Sequence, residues 1–371
     1  MKPLKVLSLF DGMSCGRIAL ERAGIPVERY YASEIDKHAI KVSQANYPDI
    51  IQLGDIRKVH AKDLPEIDMI IGGSPCTGFS FAGKGLNFND PQSKLFFEYV
   101  RLLKEIKPKY FLLENVRMKQ EYENVISEIL GGIYPECVKQ KGLFSEGMLK
   151  PVLINSALVS AQNRERNYWC NWEVTQPADK GIMLKDIIDT NAGIKINGEY
   201  QIKNDKSQCL DANYAKGIDN HGQRTAVLCG AMRGRYNEKG NIQQQIETNT
   251  TGKTNTLMTV QKDNLCIMVG EADLNGHDYV KRVYSVEGKA PSLCTGSGGN
   301  HEPKLALENM QWRKLTPEEC CKLQTVDPQY IANGRISNSQ AYKMLGNGWT
   351  IDVVSHIFRS ILPADLPRGK K

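Results

Sequence analysis

Residues 6–16 read Val6-Leu7-Ser8-Leu9-Phe10-Asp11-Gly12-Met13-Ser14-Cys15-Gly16. A short, largely apolar run meets a glycine-bearing turn, and a helical pattern follows over 16–23. Strand, tight turn and helix in that order form the opening unit of an α/β fold. Glycines at such a turn allow a sharp change of direction and the close approach of a nucleotide-like ligand. The stretch is not a complete G-x-G-x-x-G, and an ordinary strand–helix turn would read the same way.

Outward from this unit the alternation repeats. Tyr30-Tyr31-Ala32-Ser33, Met69-Ile70-Ile71 and Tyr110-Phe111-Leu112-Leu113 read as buried strands, with helical patterns over 37–46 and 95–106 between them. The pattern predicts a parallel sheet covered by helices on both faces. Each apolar run ends in a chemically capable group: Asp11, Glu34, Ser74-Pro75-Cys76 and Glu114-Asn115. Ligands of open parallel sheets bind outside the carboxyl ends of the strands, so these four loops should gather on one edge.

The whole chain has 371 residues, with 41% hydrophobic and 24% charged, an ordinary globular composition that argues against disorder, collagen and coiled coil. No apolar run is long enough for a transmembrane helix, and the amino terminus does not resemble a secretory signal, so a cytoplasmic protein with no membrane partner is expected. Ten cysteines lie scattered along the chain with no Cys-x-x-Cys, which reads as free thiols, with neither a disulfide framework nor a metal site. The net charge of +6 permits a polyanionic partner without demanding one.

The character changes between 171 and 310, where the chain is rich in Gly, Asn, Thr and Gln. That segment carries 16 basic and 17 acidic residues, leaving 32 and 25 for the remainder, so the positive surplus lies outside it. Lys206-Ser207-Gln208-Cys209-Leu210, Lys253-Thr254-Asn255-Thr256-Leu257 and Lys289-Ala290-Pro291-Ser292-Leu293 form a weak repeat, each followed by turn residues. Short strands and hairpins are expected, giving a smaller β-rich second domain. Helical patterning returns with Leu315-Thr316-Pro317-Glu318-Glu319, a Thr cap before a first-turn proline. An amphipathic helix over 349–362 should pack back onto the first domain.

Several groups then suggest chemistry. Glu34 stands 22 residues after Gly12, where an acidic residue holds ribose hydroxyls. Asp55, in Gly54-Asp55-Ile56, could meet an adenine amino group. Together they favour an adenosine ligand but do not separate NAD from S-adenosylmethionine. Pro75-Cys76 offers a thiol in a strand-end loop, a setting for a nucleophile. The following Thr77-Gly78-Phe79-Ser80-Phe81-Ala82-Gly83-Lys84-Gly85 reads as a lid. Glu114, at an apolar strand end, could stay partly protonated through desolvation and donate to a ring nitrogen. In Gln162-Asn163-Arg164-Glu165-Arg166, strand alternation would put both arginines on one face, suited to a phosphate or base carbonyl. An exposed, salt-bridged strand would show the same pattern.

The ordered set Phe10-x-Gly12-x-x-x-Gly16, Glu34, Gly54-Asp55-Ile56, Pro75-Cys76, Glu114-Asn115-Val116 and Gln162-x-Arg164-x-Arg166 resembles the cytosine-C5 DNA methyltransferases, bacterial or phage type. Arg313 to Glu319 with Leu323-Gln324, and Leu345-Gly346-Asn347-Gly348, resemble the same family's carboxyl-terminal motifs. Ser74-Pro75-Cys76 and Ser8-Leu9-Phe10-Asp11-Gly12 are similar to the mammalian de novo enzymes. The resemblance implies a Rossmann-like, S-adenosylmethionine-dependent catalytic domain over 1–170, completed by 311–371. A target-recognition domain would occupy 171–310. It implies that Cys76, Glu114, Arg164 and Arg166 act on a cytosine flipped out of duplex DNA. It places Phe10, Gly12, Met13, Glu34, Ile35, Asp55, Ile56, Pro75 and Asn347 around S-adenosyl-L-methionine. Ser80 and Gln162 would meet DNA. Arg233 and Arg235, with Asn237 and Gln243 to Gln245, are candidate base readers. The implied partner is double-stranded DNA, with room for a cognate restriction endonuclease; a monomer associated with the nucleoid is expected. A tRNA cytosine methyltransferase of similar fold is the alternative.

Overall fold

The computed structural model describes residues 1–74, 93–138, 147–189, 288–293 and 311–362, with stretches at 198–201, 230–236, 242–248, 268–272, 282–286 and 303–306. Its first part alternates β1 (Leu4–Leu9), α1 (Cys15–Ala23), β2 (Val27–Ser33), α2 (Lys37–Asn46), β3 (Ile51–Gln52), β4 (Met69–Gly72), α3 (Ser93–Ile106), β5 (Tyr110–Val116), α4 (Gln120–Ile133), β6 (Val152–Asn155) and β7 (Glu165–Cys170). The strands form one seven-stranded sheet in the order β3-β2-β1-β4-β5-β7-β6. Strands β1 to β5 run parallel, whereas β7 is antiparallel to both β5 and β6. The expected parallel sheet is therefore mixed, because β7 slots between β5 and β6.

Strand alternation divides the core. Val6, Met69, Ile71 and Leu112 face a cluster that takes in Ala19 and Leu20 of α1. Leu7, Leu9, Ile70, Phe111 and Leu113 face the opposite cluster, with Phe96, Tyr99 and Leu103 of α3 and Ile126 and Leu130 of α4. Period-two side-chain direction thus covers both faces. Local signals set the helix boundaries: Asp36 caps α2 by accepting from the backbone N–H groups of His38 and Ala39.

Among the described residues the later region contains β8 (Gly198–Gln201), β9 (Gly230–Tyr236), β10 (Ile242–Thr248), β11 (Met268–Ala272), β12 (Arg282–Tyr284), β13 (Lys304–Ala306) and β14 (Gln311–Lys314). Strands β9 and β10 make an antiparallel pair, and β11-β12-β13-β14-β8 close into a barrel. The barrel takes its fourth strand from 311–314, beyond position 310. Of the three weak repeat units, those at 206–210 and 253–257 lie outside the described residues.

Helices α5 (Pro317–Leu323), α6 (Pro328–Asn333), α7 (Asn338–Asn347) and α8 (Ile351–Arg359) follow among the described residues. Thr316 and Glu319 form a reciprocal capping box around Pro317. As its amphipathic pattern predicts, α8 packs on the first domain. Val353, Val354, Ile357 and Phe358 join the α1 cluster, and Asp352 accepts from Arg22 at 2.6 Å.

Candidate active site at the carboxyl edge of the sheet

The loops after β1 and β2 build one half of the edge. Phe10 and Gly12 have φ of 57° and 59°, and a Cβ at Gly12 would meet nothing within 4 Å, so the turn is left-handed and open. The Glu34 carboxylate accepts the backbone N–H of Gly12 at 2.7 Å, of Ile35 at 2.7 Å and of Asp36 at 2.8 Å. Three fixed donors leave one lone-pair site of a carboxylate's four for a ligand hydroxyl. Ile35 beside it is 74% exposed, the largest value among the exposed large apolar side chains.

Beneath this turn Asp11 is buried and accepts from the hydroxyls of Ser14 and, at 2.8 Å, Tyr30. Burial pushes its carboxyl up to about 6 against the pull of those donors. Met13 is only 1% exposed, and its carbonyl accepts from the Tyr330 hydroxyl at 2.7 Å. Its side chain therefore belongs to the core under the turn, not to the open surface. Asp55 caps the short helix Ile56–Lys58 and chelates Arg57, whose hydrogen bonds hold its carboxyl down at about 2. Ile56 is buried against α3, while Asn347 ends α7 exposed.

The loops after β4 and β5 build the other half. Pairing with β7 carries β5 on to Val116, so Glu114 and Asn115 sit inside the strand, not past its end. Asn115 donates from its side-chain amide to Ser74 Oγ at 3.3 Å, tying β5 to the residue before Pro75. Glu114 is 9% exposed and is not alone. Arg166 Nε lies 3.1 Å from its Oε1, and the Trp349 indole N–H donates to its Oε2 at 3.2 Å. The carboxyl at this strand end is thus a paired one. Pro75, Cys76 and Ser80 lie outside the described residues.

Arg164 and Arg166 do not share a task. Arg164 precedes β7, is 4% exposed, and donates to Ser292 Oγ, Leu293 O, Gly346 O and Gly348 O at 3.1–3.4 Å. Burial draws its guanidinium down to about 10, with the nearby Arg166 charge acting in the same sense. Its donors hold the protein together, so the two arginines, both directed toward the 346–349 side, have different partners. Gln162 is 0% exposed, and among the described residues neither amide atom has a hydrogen-bond partner. Its side chain is buried, and its backbone forms an isolated bridge with Ala290.

Two residues with no sequence signal prove central. The sequence marks Trp349 only as the start of an amphipathic helix. Lys289 is buried and donates to the carbonyls of Ala157, Ser160 and Ile182 at 2.7–3.0 Å. The backbone around it pairs with the 157–164 loop through Ala290 N to Ala161 O and Asn163 N to Ala290 O. Far from repeating a hairpin, 289–293 clips onto the 157–164 loop. In the later region, β9–β10 register sets Arg233 opposite Gln245 and Arg235 opposite Gln243, which brings together four of the candidate base readers.

The model of the C-5 cytosine-specific DNA methylase family matches residues 4–363. The chain belongs to that family. Relatives of the methylase include the orphan methyltransferase M.Rho11sI of Bacillus phage rho11s, 26% identical over 98% of both chains. The type II methyltransferase M.FnuDI of Fusobacterium nucleatum is 27% identical over 96% of this chain and 94% of its own. Among solved structures, the Entamoeba histolytica methyltransferase EhMeth superposes with a TM-score of 0.62 at 14% identity, over 97% and 98% of the two chains. That likeness shows the fold.

The methylase is accordingly a DNA cytosine-C5 methyltransferase, and S-adenosylmethionine is its methyl donor. The tRNA alternative is not favoured. The edge described above fits that donor: a left-handed open turn, a carboxylate with remaining acceptor capacity, and an exposed apolar side chain suit ribose and adenine. Among the described residues no helix is long and apolar enough to cross a membrane, and no group of side chains could hold a metal. Cys15, Cys137, Cys170, Cys320 and Cys321 are free.

Proposed function

We propose that Cys76, Glu114 and Arg166 carry the chemistry on a cytosine flipped out of duplex DNA. The observation that supports this most is the Arg166–Glu114 pair, 3.1 Å apart at the carboxyl edge, on the strand tied through Asn115 to Ser74. A flipped base is needed because ring carbons 5 and 6 are inaccessible within the stack. The Cys76 thiolate adds to carbon 6, while Glu114 supplies a hydrogen bond and proton to ring nitrogen 3. Arg166 holds the carbonyl oxygen at carbon 2, where negative charge develops. Carbon 5 becomes nucleophilic. S-adenosylmethionine, when bound, supplies the electrophilic methyl group. Carbon 5 takes the methyl group, water accepts the carbon-5 proton, the Cys76 thiolate is eliminated, and ring nitrogen 3 returns its proton to Glu114, which restores the ring.

Glu34, Ile35, Phe10 and Gly12 would hold the cofactor's ribose and adenine, with Asp55 and Ile56 at the adenine edge. Pro75 and Asn347 would close the site, and Met13 would support its floor. Arg164 contributes by fixing the 346–348 and 292–293 backbones. Gln162 supports the loop that carries Arg164. Residues 171–310 form the target-recognition unit, where Arg233 and Arg235 read bases or phosphates and Ser80 touches the DNA backbone from the lid. The protein acts as a monomer at the nucleoid, and the presence of both orphan and type II relatives leaves its pairing with a restriction endonuclease to genomic context.

Transfer of labelled methyl groups to duplexes of varied sequence tests this reading. Wild-type protein should form 5-methylcytosine at a defined site. Cys76→Ala should lower turnover by at least about 10⁴-fold while cofactor binding by calorimetry stays intact. An active Cys76→Ala variant would refute the assignment.

A further inference from the structure

We infer that Trp349 is a positioning residue that locks the plane of the Glu114 carboxylate; the inference rests on the catalytic reading of Glu114 above. The two carboxylate oxygens are held by different donors. Arg166 Nε lies 3.1 Å from Oε1, and the Trp349 indole N–H reaches Oε2 at 3.2 Å. With Arg166 alone, the carboxylate would be free to turn about its terminal torsion, which is broad and soft. A second donor on the other oxygen removes that freedom and holds the group where a ring nitrogen can meet it.

The indole is itself built into a frame. Trp349 is 9% exposed and sits between two anchored neighbours. Before it, the Gly348 carbonyl accepts from Arg164 at 3.1 Å and from the Gln324 amide at 3.3 Å. After it, the Thr350 hydroxyl bonds Gln324 Oε1 and Ser156 Oγ, each at 2.8 Å. Gly73 makes room for the contact: a Cβ there would lie 2.8 Å from Glu114 Oε2 and 3.0 Å from Trp349 Nε1. Any side chain at 73 would wedge the pair apart. Three segments far apart in sequence, at 73, 114 and 349, thus close on one hydrogen bond.

The test uses the full chain with Trp349→Phe, and with benzothienylalanine at 349, which replaces the indole N–H by sulfur at nearly constant shape. Two rates are read. One is methyl transfer, with kcat separated from the KM values for DNA and cofactor. The other is cofactor-free release of tritium from DNA carrying [5-³H]cytosine. In that release the Cys76 thiolate adds to carbon 6, carbon 5 takes a solvent proton and loses the triton, and elimination frees the thiolate. Loss of a hydrogen bond to a charged group should lower both kcat and tritium release about 10- to 100-fold. Both KM values should stay within about threefold.

Tritium release within about twofold of wild type in a variant with a cooperative melt would overturn the inference. So would a raised cofactor KM with release unchanged, since the indole would then serve the cofactor. Should the Phe variant fail to fold, the isosteric variant decides. Glu114→Gln separates the two levels of argument. If it leaves release intact, the catalytic reading of Glu114 itself falls. If it abolishes release and the Trp349 variants do not change it, only the inference falls. In the Glu114→Gln background, Trp349→Phe should add little further loss, and an additional full-size loss would count against coupling.

Discussion

The two halves of the sheet edge solve the same problem in different ways. Each must keep a carboxylate oriented at the end of a strand. On the β1–β2 side, Glu34 is held by backbone N–H groups, the most distant only 22 residues away, and Asp11 by Ser14 and Tyr30 of the same βαβ unit. On the β4–β5–β7 side, Glu114 takes its donors from Arg166 and from Trp349, the latter 235 residues away. Arg164 reaches even more widely, to 292–293 and 346–348. Glu34 thus takes its donors locally, although the turn beneath it is also tied to Tyr330, whereas the support of Glu114 exists only when the later segments have docked.

If that contrast holds, damage to the second half should be global. Arg164→Met removes the donors of four acceptors in a buried site, and it should cost about 3–5 kcal/mol in denaturant unfolding, with loss of activity. A variant of near wild-type stability and low activity would instead place Arg164 at the substrate.

The first half can be probed by pH. The Asp11 carboxyl is raised from 3.8 to about 6 in the folded state, so between those values the folded chain holds a proton that the unfolded chain has lost. Stability should therefore fall as pH rises from about 4 to 6 and level off above, by up to about 3 kcal/mol. Asp11→Asn should flatten that slope in thermal melts; an unchanged slope would assign it to other groups. The smallest expected effect is the most local. Glu34→Gln should weaken cofactor binding about tenfold, since an amide cannot accept from all its present donors and a ribose hydroxyl as well. Cofactor-free tritium release should be untouched, and a fall in it would show that the halves are not independent.

The legibility of the chain follows the same division. Helix α2 occupies 37–46, the span its pattern predicts, because Asp36 caps it through its immediate neighbours. The Thr316 cap before Pro317 was visible for the same reason, and the structure adds Glu319 as its reciprocal partner. Strand β5 runs longer than its apolar run because β7 pairs with Glu114 to Val116, and no local signal announces that partner. Lys289 looked like part of a polar repeat, and only the carbonyls of Ala157, Ser160 and Ile182 turn it into a buried pin. The burial of Gln162 and the different partners of Arg164 and Arg166 were equally hidden.

Hydrophobic periodicity, caps and ordered strand-end residues were enough to specify an α/β sheet and its ligand edge, and the resemblance of the ordered motifs pointed to the family. These properties depend on neighbours within a few turns of chain, where sterics and hydrogen bonding act directly. Which arginine faces the Glu114 carboxylate, and that an indole 235 residues away completes its support, depended on long-range packing. A desolvated carboxylate or guanidinium must find partners wherever the fold brings them. The identity of those partners is a property of the assembled core, not of any segment within it.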